Sequence, residues 1–370
     1  MKAVVIKDLN DLSVESVDLD SPKTGEVLVK MKASGVCHSD LSVLNGTLTQ
    51  KLPMVIGHEG AGIVEALGEN VSGVSVGDHV AMSFVPNCGE CFYCGRDEAY
   101  LCVENKPHGG LLDGTSRVSQ NGDPISVFSF LGNMAEYCVV PASCVVPIDK
   151  SYSFEAAALV SCGVATGVGA VLKTADVQPG STVAVFGCGG VGLNIIQGAK
   201  IAGAKQIIAV DTSDEKMQLA ESFGATHRVS TGKDAAKQTR ELTNGFGVDY
   251  AFDAVGNSKV AEACFKATRN NGVIIVVGMG KLDDQIRLSS LLLPFFSKTI
   301  KGSMYGSTHA KVDLPKYMEY YRKGQLCPPF CSPMLQWGPR GVVTQGKGAI
   351  GPKTKLLYFT DLNAKTGRLR

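Results

Sequence analysis

Val183-Ala184-Val185-Phe186 is an unbroken apolar run that closes on Gly187-Cys188-Gly189-Gly190-Val191-Gly192 and passes directly into a helical pattern over 193–202. A G-x-G-x-x-G alone is weak evidence, but here it lies between a strand and a helix, as a dinucleotide-binding turn requires. Gly187 permits the tight turn, Gly189 leaves room for a pyrophosphate to approach the backbone, and Gly192 lets helix pack on strand. Gly190 and Val191 belong to the same cofactor-binding turn, and the N-terminus of the helix that follows faces the phosphates. The next strand, Gln206-Ile207-Ile208-Ala209-Val210, ends in Asp211. At that distance its carboxylate can bond the adenine ribose hydroxyls and would repel a 2′-phosphate, so the expected cofactor is NAD rather than NADP. A glycine-rich turn with an incidental acid is the competing reading, and the flanking elements argue against it.

The same alternation continues downstream. Residues 248–256 and 272–278 read as buried strands, 260–268 as a helix, 299–306 as a further strand and 314–323 as an amphipathic helix. Strands alternating with helices predict an α/β fold with a doubly wound parallel sheet. At 370 residues the chain can hold two domains.

The first 35 residues alternate apolar and polar positions, broken at 8–11 and 21–25, which predicts short strands and turns. Gly35-Val36-Cys37-His38-Ser39-Asp40 follows a strand-like run and sets a thiol, an imidazole, a hydroxyl and a carboxylate side by side. Farther on, glycines crowd a histidine and an acid in Gly57-His58-Glu59-Gly60. Each feature has a bland alternative, a buried thiol or a satisfied loop histidine. Cys88, Cys91, Cys94 and Cys102 form C-x2-C-x2-C-x7-C, a spacing that suits a tetrahedral structural zinc, with iron–sulfur ligation as the competing metal reading. Residues 104–135 read as a polar surface excursion. A helical segment begins at Phe154 and is expected to end in the small residues 161–167, placing Cys162 near the start of another helix over 168–173.

A net charge of +1 gives no reason to expect nucleic acid or a membrane surface as partner. No apolar run is read as approaching the ~20 residues of a membrane span, and Met1-Lys2-Ala3-Val4-Val5-Ile6 enters a strand directly, without the apolar core of a signal peptide. A cytoplasmic location follows as the expectation. In that reducing setting the twelve cysteines read as metal ligands and buried thiols.

Together these residues resemble the zinc-containing alcohol dehydrogenases of the medium-chain dehydrogenase family, from residue 1 to about Leu326. Gly57-His58-Glu59-x-x-Gly62-x5-Gly68-x-x-Val71 fits the family's zinc signature, the four-cysteine segment its structural zinc lobe, and Leu112-Asp113-Gly114-Thr115-Ser116-Arg117 with Phe130-Leu131-Gly132 its longer, liver-type branch. The resemblance implies a GroES-like β-rich catalytic domain over 1–163 with the lobe at 88–102, a Rossmann domain over 164–304, and a return to the catalytic domain from 305. It implies two zinc ions per chain: a structural ion on Cys88, Cys91, Cys94 and Cys102, and a catalytic ion on Cys37, His58 and Cys162. Ser39 would take the alcohol proton, Asp40 would orient His58, and Glu59 would stand behind the metal. Phe84 and Leu131 would line the substrate pocket. His38 would meet the cofactor pyrophosphate, and Lys216, Thr166 and Val255 would add cofactor contacts. The implied reaction is hydride transfer between a primary, allylic or aryl alcohol and NAD in a homodimer or homotetramer.

Two departures stand out. Many relatives carry a histidine five residues past the zinc cysteine, where this chain has Ser42. After Gly324-Gln325-Leu326 the family's closing helix and strand are expected, whereas 327–370 shows no helical period and sets Arg340, Lys347, Lys353, Lys355, Lys365, Arg368 and Arg370 against one acid, Asp361. It reads as an out-of-frame or replaced terminus, with a genuine alternative terminus as the other reading. The rival functions are a glutathione-linked formaldehyde dehydrogenase, which lacks support from any arginine in 103–112, and a non-catalytic derivative of the fold, which the altered terminus alone favours.

Overall fold

The computed structural model of the chain describes residues 1–231 and 234–327. They form two compact units: Met1–Cys162 with His309–Arg322, and Gly163–Thr308 with 323–327.

The first unit is β-rich. One sheet has the order Tyr137–Pro141, Glu26–Gly35, Glu59–Leu67, His79–Met82, Val145–Pro147, every neighbour antiparallel. Alternation along Glu26–Gly35 explains its place: Val27, Val29 and Met31 are buried, while Leu28, Lys30 and Lys32 are half-buried on the other face. The alternation gives way to continuous burial at Ala33-Ser34-Gly35, where the strand reaches the site described below. A second sheet runs Asp11–Ser16, Lys2–Asp8, Met54–Val55, Asp123–Val127, Val118–Gln120, Asp18–Leu19. Residues 104–135 are thus less of a surface excursion than the sequence predicts. Their turns are exposed, but Leu111, Val118, Ile125, Val127, Phe128, Phe130 and Leu131 are buried. Ala310–Arg322 supplies a helix, beginning four residues before the stretch read from sequence.

The second unit is a six-stranded parallel sheet ordered His227–Ser230, Gln206–Asp211, Thr182–Phe186, Val248–Asp253, Thr268–Val276, Thr299–Gly302. Counted along the chain this is 3-2-1-4-5-6, the doubly wound order whose ligand crevice opens where the order reverses. The two-residue period assigns the faces. Val183, Val185, Ile207 and Ala209 pack with Leu193, Ile196 and Ala199 of helix Gly190–Ile201. Ala184, Phe186, Ile208 and Val210 pack with Cys264 and Phe265 of helix Ser258–Ala267.

A further element departs from the sequence reading. The small residues 161–167 do not end the helix that begins at Phe154. The chain continues through a π-helical segment at Val160–Val164, an α-helical turn at Ala165–Gly169 and a second π-helical segment at Ala170–Ala175. The resulting helix, Phe154–Ala175, is long and apolar enough to cross a membrane by length and composition, but 83% of its apolar window is buried, as in a core helix.

Candidate active site

Three segments far apart in sequence converge in the first unit. Cys37 is the N-cap of helix His38–Leu44, directly after strand Glu26–Gly35. His58 and Glu59 lie where the chain enters strand Glu59–Leu67. Cys162 is carried by the π-helical segment, a feature often found at functional sites. The ligand atoms of Cys37, His58, Glu59 and Cys162 all lie within 4.8 Å of one another.

Asp40 joins the first two segments. Its Oδ2 accepts from the Cys37 amide at 2.9 Å, its Oδ1 accepts from the Gly57 amide at 3.1 Å, and Oδ1 also lies 3.3 Å from His58 Nδ1. With Nδ1 so engaged, Nε2 is the nitrogen left for a metal. Phe84 and Phe128 meet the imidazole edge-on at 5.5 and 5.3 Å.

The four groups perturb one another's protonation strongly. The hydrogen bond from Cys162 holds the Cys37 thiol well below its ordinary range despite burial, and nearby His58 adds to this. Sharing that proton, together with burial, raises Cys162. Burial would lower His58, but the Asp40 carboxylate and the Cys37 thiolate outweigh it and raise the imidazole. Burial and the Cys37 charge raise Glu59, whose Oε2 is buried with no hydrogen-bond partner. Two thiols and an imidazole beside a carboxylate whose buried Oε2 has no hydrogen-bond partner fit a zinc bound through three protein ligands with one position open. Gly35 is required at this point, since a Cβ there would lie 2.0 Å from Glu59 Oε2.

The second cluster is Cys88, Cys91, Cys94 and Cys102. Sulfur pairs stand 3.6, 3.9 and 4.0 Å apart, close to the ~3.8 Å edge of a tetrahedron with Zn–S bonds of about 2.3 Å. The Cys88 amide donates to Cys102 Sγ at 3.3 Å and the Cys91 amide to Cys88 Sγ at 3.4 Å, orienting the sulfurs. Amides of Cys94 and Val103 bring Cys91 down to about 6, while burial pushes Cys102 up to about 12. Four donors leave no open position, so this cluster suits a structural ion.

In the second unit, Gly187 has φ +94, and a Cβ on Gly192 would stand 1.8 Å from the Gly187 carbonyl oxygen. No protein atom lies within 4 Å of where a Cβ on Gly189 would be. The first and third glycines therefore serve the fold, and the second faces open space. Asp211 is buried. Its Oδ2 accepts from the Cys188 amide at 2.7 Å and its Oδ1 from the Ser213 amide at 3.0 Å. Gly190 and Val191 begin the helix, and Lys216 lies in the first turn of helix Asp214–Phe223. Val255 is half exposed in the turn after Val248–Asp253, at the reversal of strand order. Thr166 lies on the helical turn Ala165–Gly169.

Ser39 Oγ is 3.8 Å from Cys37 Sγ. His38 is exposed, with Nδ1 3.4 Å from Ser42 Oγ. Phe84 is partly buried beside His58, whereas Leu131, expected on a pocket wall, is 1% exposed within the sheet core. The expected loss of the closing helix and strand falls on residues that lie outside the described ones, apart from Cys327. Its amide donates to Gln197 Oε1 at 2.7 Å.

Sequence reasoning missed Asn133 and Ser161. Asn133 is fully buried, and a Cβ on Gly57 or Gly60 would come within 2.3 or 2.1 Å of its amide atoms, so it packs on both sides of the His58–Glu59 pair. A lone amide in the apolar stretch 128–134 was the available signal.

A donor cluster that fits a three-ligand metal site in one unit, and a dinucleotide-type turn in the other, are the features of a metal- and nicotinamide-dependent oxidoreductase. Residues 23–150 match the family model of the alcohol dehydrogenase GroES-like domain, and 190–321 that of the zinc-binding dehydrogenase. An S-(hydroxymethyl)glutathione dehydrogenase of Saccharomyces cerevisiae is 40% identical over 339 residues, 88% of this chain and 86% of the relative. An NDMA-dependent alcohol dehydrogenase of Amycolatopsis methanolica is 36% identical over 318 residues, 85% of this chain and 86% of the relative. The crystal structure of benzyl alcohol dehydrogenase from Acinetobacter calcoaceticus aligns with a TM-score of 0.84 and 32% identity, over 89% of this chain and 90% of that one. The chain belongs to the zinc-containing medium-chain alcohol dehydrogenase family. It is a zinc- and nicotinamide-dependent oxidoreductase of small alcohols and aldehydes.

Proposed function

We propose that this chain interconverts a primary, allylic or aryl alcohol and its aldehyde with NAD, using Cys37, His58 and Cys162 as the catalytic metal ligands. The carrying observation is the convergence of those three donors with Glu59 inside 4.8 Å. Zinc held there supplies Lewis acidity that favours the alkoxide near neutral pH. Nicotinamide supplies the hydride acceptor. Asp40 fixes the His58 ring and the Cys37 backbone through the three contacts above. Ser39, beside the Cys37 sulfur, accepts the alcohol proton and passes its own hydroxyl proton on to water. Glu59 would keep its buried carboxylate beside the three metal-binding side chains, and Phe84 would border the substrate. Gly187, Gly189, Gly190, Val191 and Gly192 receive the pyrophosphate, while Lys216, Thr166 and Val255 complete the cofactor contacts. Asp211 takes the ribose hydroxyls and disfavours NADP.

An NAD-reduction assay over an alcohol panel, with zinc quantified in the same sample, tests this reading. Activity together with two zinc ions per chain is expected, and inactivity in a fully metallated sample would overturn it. Cys37→Ser should abolish turnover while leaving the four-cysteine ion bound; turnover equal to wild type would remove Cys37 from the ligand set. Asp211→Gly should shrink the preference for NAD over NADP, and an unchanged ratio would mean that Asp211 is not the ribose ligand.

The Saccharomyces cerevisiae relative favours a second reading, oxidation of S-hydroxymethylglutathione. Against it, residues 103–112 offer no arginine to bind the anionic conjugate. Comparing that conjugate with benzyl alcohol and ethanol separates the two. We also infer a cytoplasmic homodimer or homotetramer. Thr299–Gly302 is a sheet edge, and Leu291 and Phe295 nearby are exposed at 69% and 73%. Light scattering tests the assembly and cell fractionation the compartment.

A further inference from the structure

We infer that Ser161 is a positioning residue for the catalytic metal site, setting the distance between the Cys162 and His58 ligand segments. The inference rests on the reading of Cys37, His58 and Cys162 as metal ligands. Asp40 fixes two of the three to each other, because its carboxylate takes the Cys37 amide, the Gly57 amide and the His58 ring. Cys162 comes from a different element, more than a hundred residues away in sequence, and needs a tie of its own.

Ser161 provides it. Its side chain is fully buried. Its hydroxyl donates to the Ala158 carbonyl at 2.6 Å and accepts from the Gly60 amide at 3.2 Å. One hydroxyl therefore links the residue before Cys162 to the residue two after His58. The donated bond also takes up a carbonyl one turn earlier, where the widened π-helical turn disturbs the regular ladder. The accepted bond comes from the amide of a glycine that is wedged in place. A Cβ there would approach Asn133 Nδ2 to 2.1 Å and Met82 Sδ to 2.8 Å. The Gly60 side of the link is thus rigid, and the hydroxyl passes that rigidity to the turn that carries Cys162. Partners that orient metal ligands in this way act on affinity and geometry, since an error of about half an ångström in a donor position is felt at the metal.

The test is Ser161→Ala, purified as the full chain, with cobalt(II) and zinc as the metal probes. Thr239→Ala is the control, because Thr239 is also fully buried and its hydroxyl also donates within a helix, to the Ala235 carbonyl at 2.8 Å, but it is remote in sequence from every ligand. Both variants lose a buried intrahelical bond, so both melting temperatures should fall. Ser161→Ala alone should weaken retention of the catalytic-site ion about 10–100-fold against a chelator. It should also change the cobalt d–d and thiolate charge-transfer bands and lower kcat more than it changes KM. The four-cysteine ion, within the same molecule, should be retained and reports that the variant has folded. Wild-type retention and an unchanged cobalt spectrum in Ser161→Ala would overturn the inference, as would the same spectral change in Thr239→Ala. If the wild-type chain itself takes up one ion and not two, the ligand assignment fails, a result distinct from failure of the Ser161 role.

Discussion

At the scale of single residues, the sequence disclosed side chains whose partners are close by in the chain. Cys88, Cys91, Cys94 and Cys102 announce themselves by spacing, as do the glycines from 187 to 192. Ser161 and Asn133 did not, because the groups they meet, at Gly60, Gly57 and Ser34, lie about a hundred or more residues away in some cases and no local pattern records them. The glycines allow a sharp test of how roles divide. Gly189→Ala meets nothing within 4 Å and needs only a φ of −80, so it should melt within about 1 °C of wild type, as surface changes of under ~0.5 kcal/mol do. Yet its methyl would occupy space reserved for the pyrophosphate, so NADH affinity should fall at least tenfold. Gly192→Ala forces a carbon to 1.8 Å from a backbone oxygen and should cost about 1–3 kcal/mol of stability as well. Differential scanning fluorimetry and NADH fluorescence titration check both. Equal melting temperatures for the two variants would contradict the division.

At the scale of elements, alternating strands and the βα repeats were legible because their periods are local. The helix Phe154–Ala175 was misjudged because small residues usually mark an ending, whereas in this case burial and the π-helical segments carry the helix through them. The stretch 104–135 was misjudged for the opposite reason, since its polar turns hid short buried strands. Arg117 belongs to that stretch and is 3% exposed. Its Nη2 and Nε meet both Glu26 oxygens at 2.5 and 2.9 Å, and Nη2 also reaches Asp113 at 2.7 Å. Arg117→Met leaves Glu26 charged and buried at the base of the strand that delivers Cys37, and should destabilise by about 3–5 kcal/mol. Pairing it with Glu26→Leu should recover much of that loss, because the desolvated charge is gone. Urea denaturation checks both variants. The Asp113 carboxyl is held down to about 2, although burial opposes it, by Arg117 and the Thr115 amide and hydroxyl. Its folded-state value lies below the unfolded one, so its contribution is present above about pH 4 and is lost as pH falls toward 2. In wild type the acid limb of stability should therefore steepen over that range, and Arg117→Met should flatten it.

At the scale of the whole molecule, the proposed function gives the two donor clusters different work, one metal for chemistry and one for folding, and the two sites should then part company when metal is removed. An ion held by Cys37, His58 and Cys162 alone would keep one position open, so a small bidentate chelator could bind it in place and carry it off. The four-cysteine site is closed, and a chelator must first displace a thiolate held by amide donors such as those of Cys88 and Cys91. Stepwise dialysis against dipicolinate should therefore take zinc from two ions per chain to one. Activity should disappear in proportion, and the melting temperature should move by only a few degrees. Removing the second ion should require a thiol reagent and should lower the melting temperature sharply. The lobe over 88–102 offers little apolar core of its own, with Phe92 66% exposed and Leu101 39% exposed, and so depends on the metal for its fold. Zinc analysis, activity and a melt on the same aliquots decide the matter. If the structural ion leaves first, or activity survives the loss of the first ion, the assignment of the two sites is reversed.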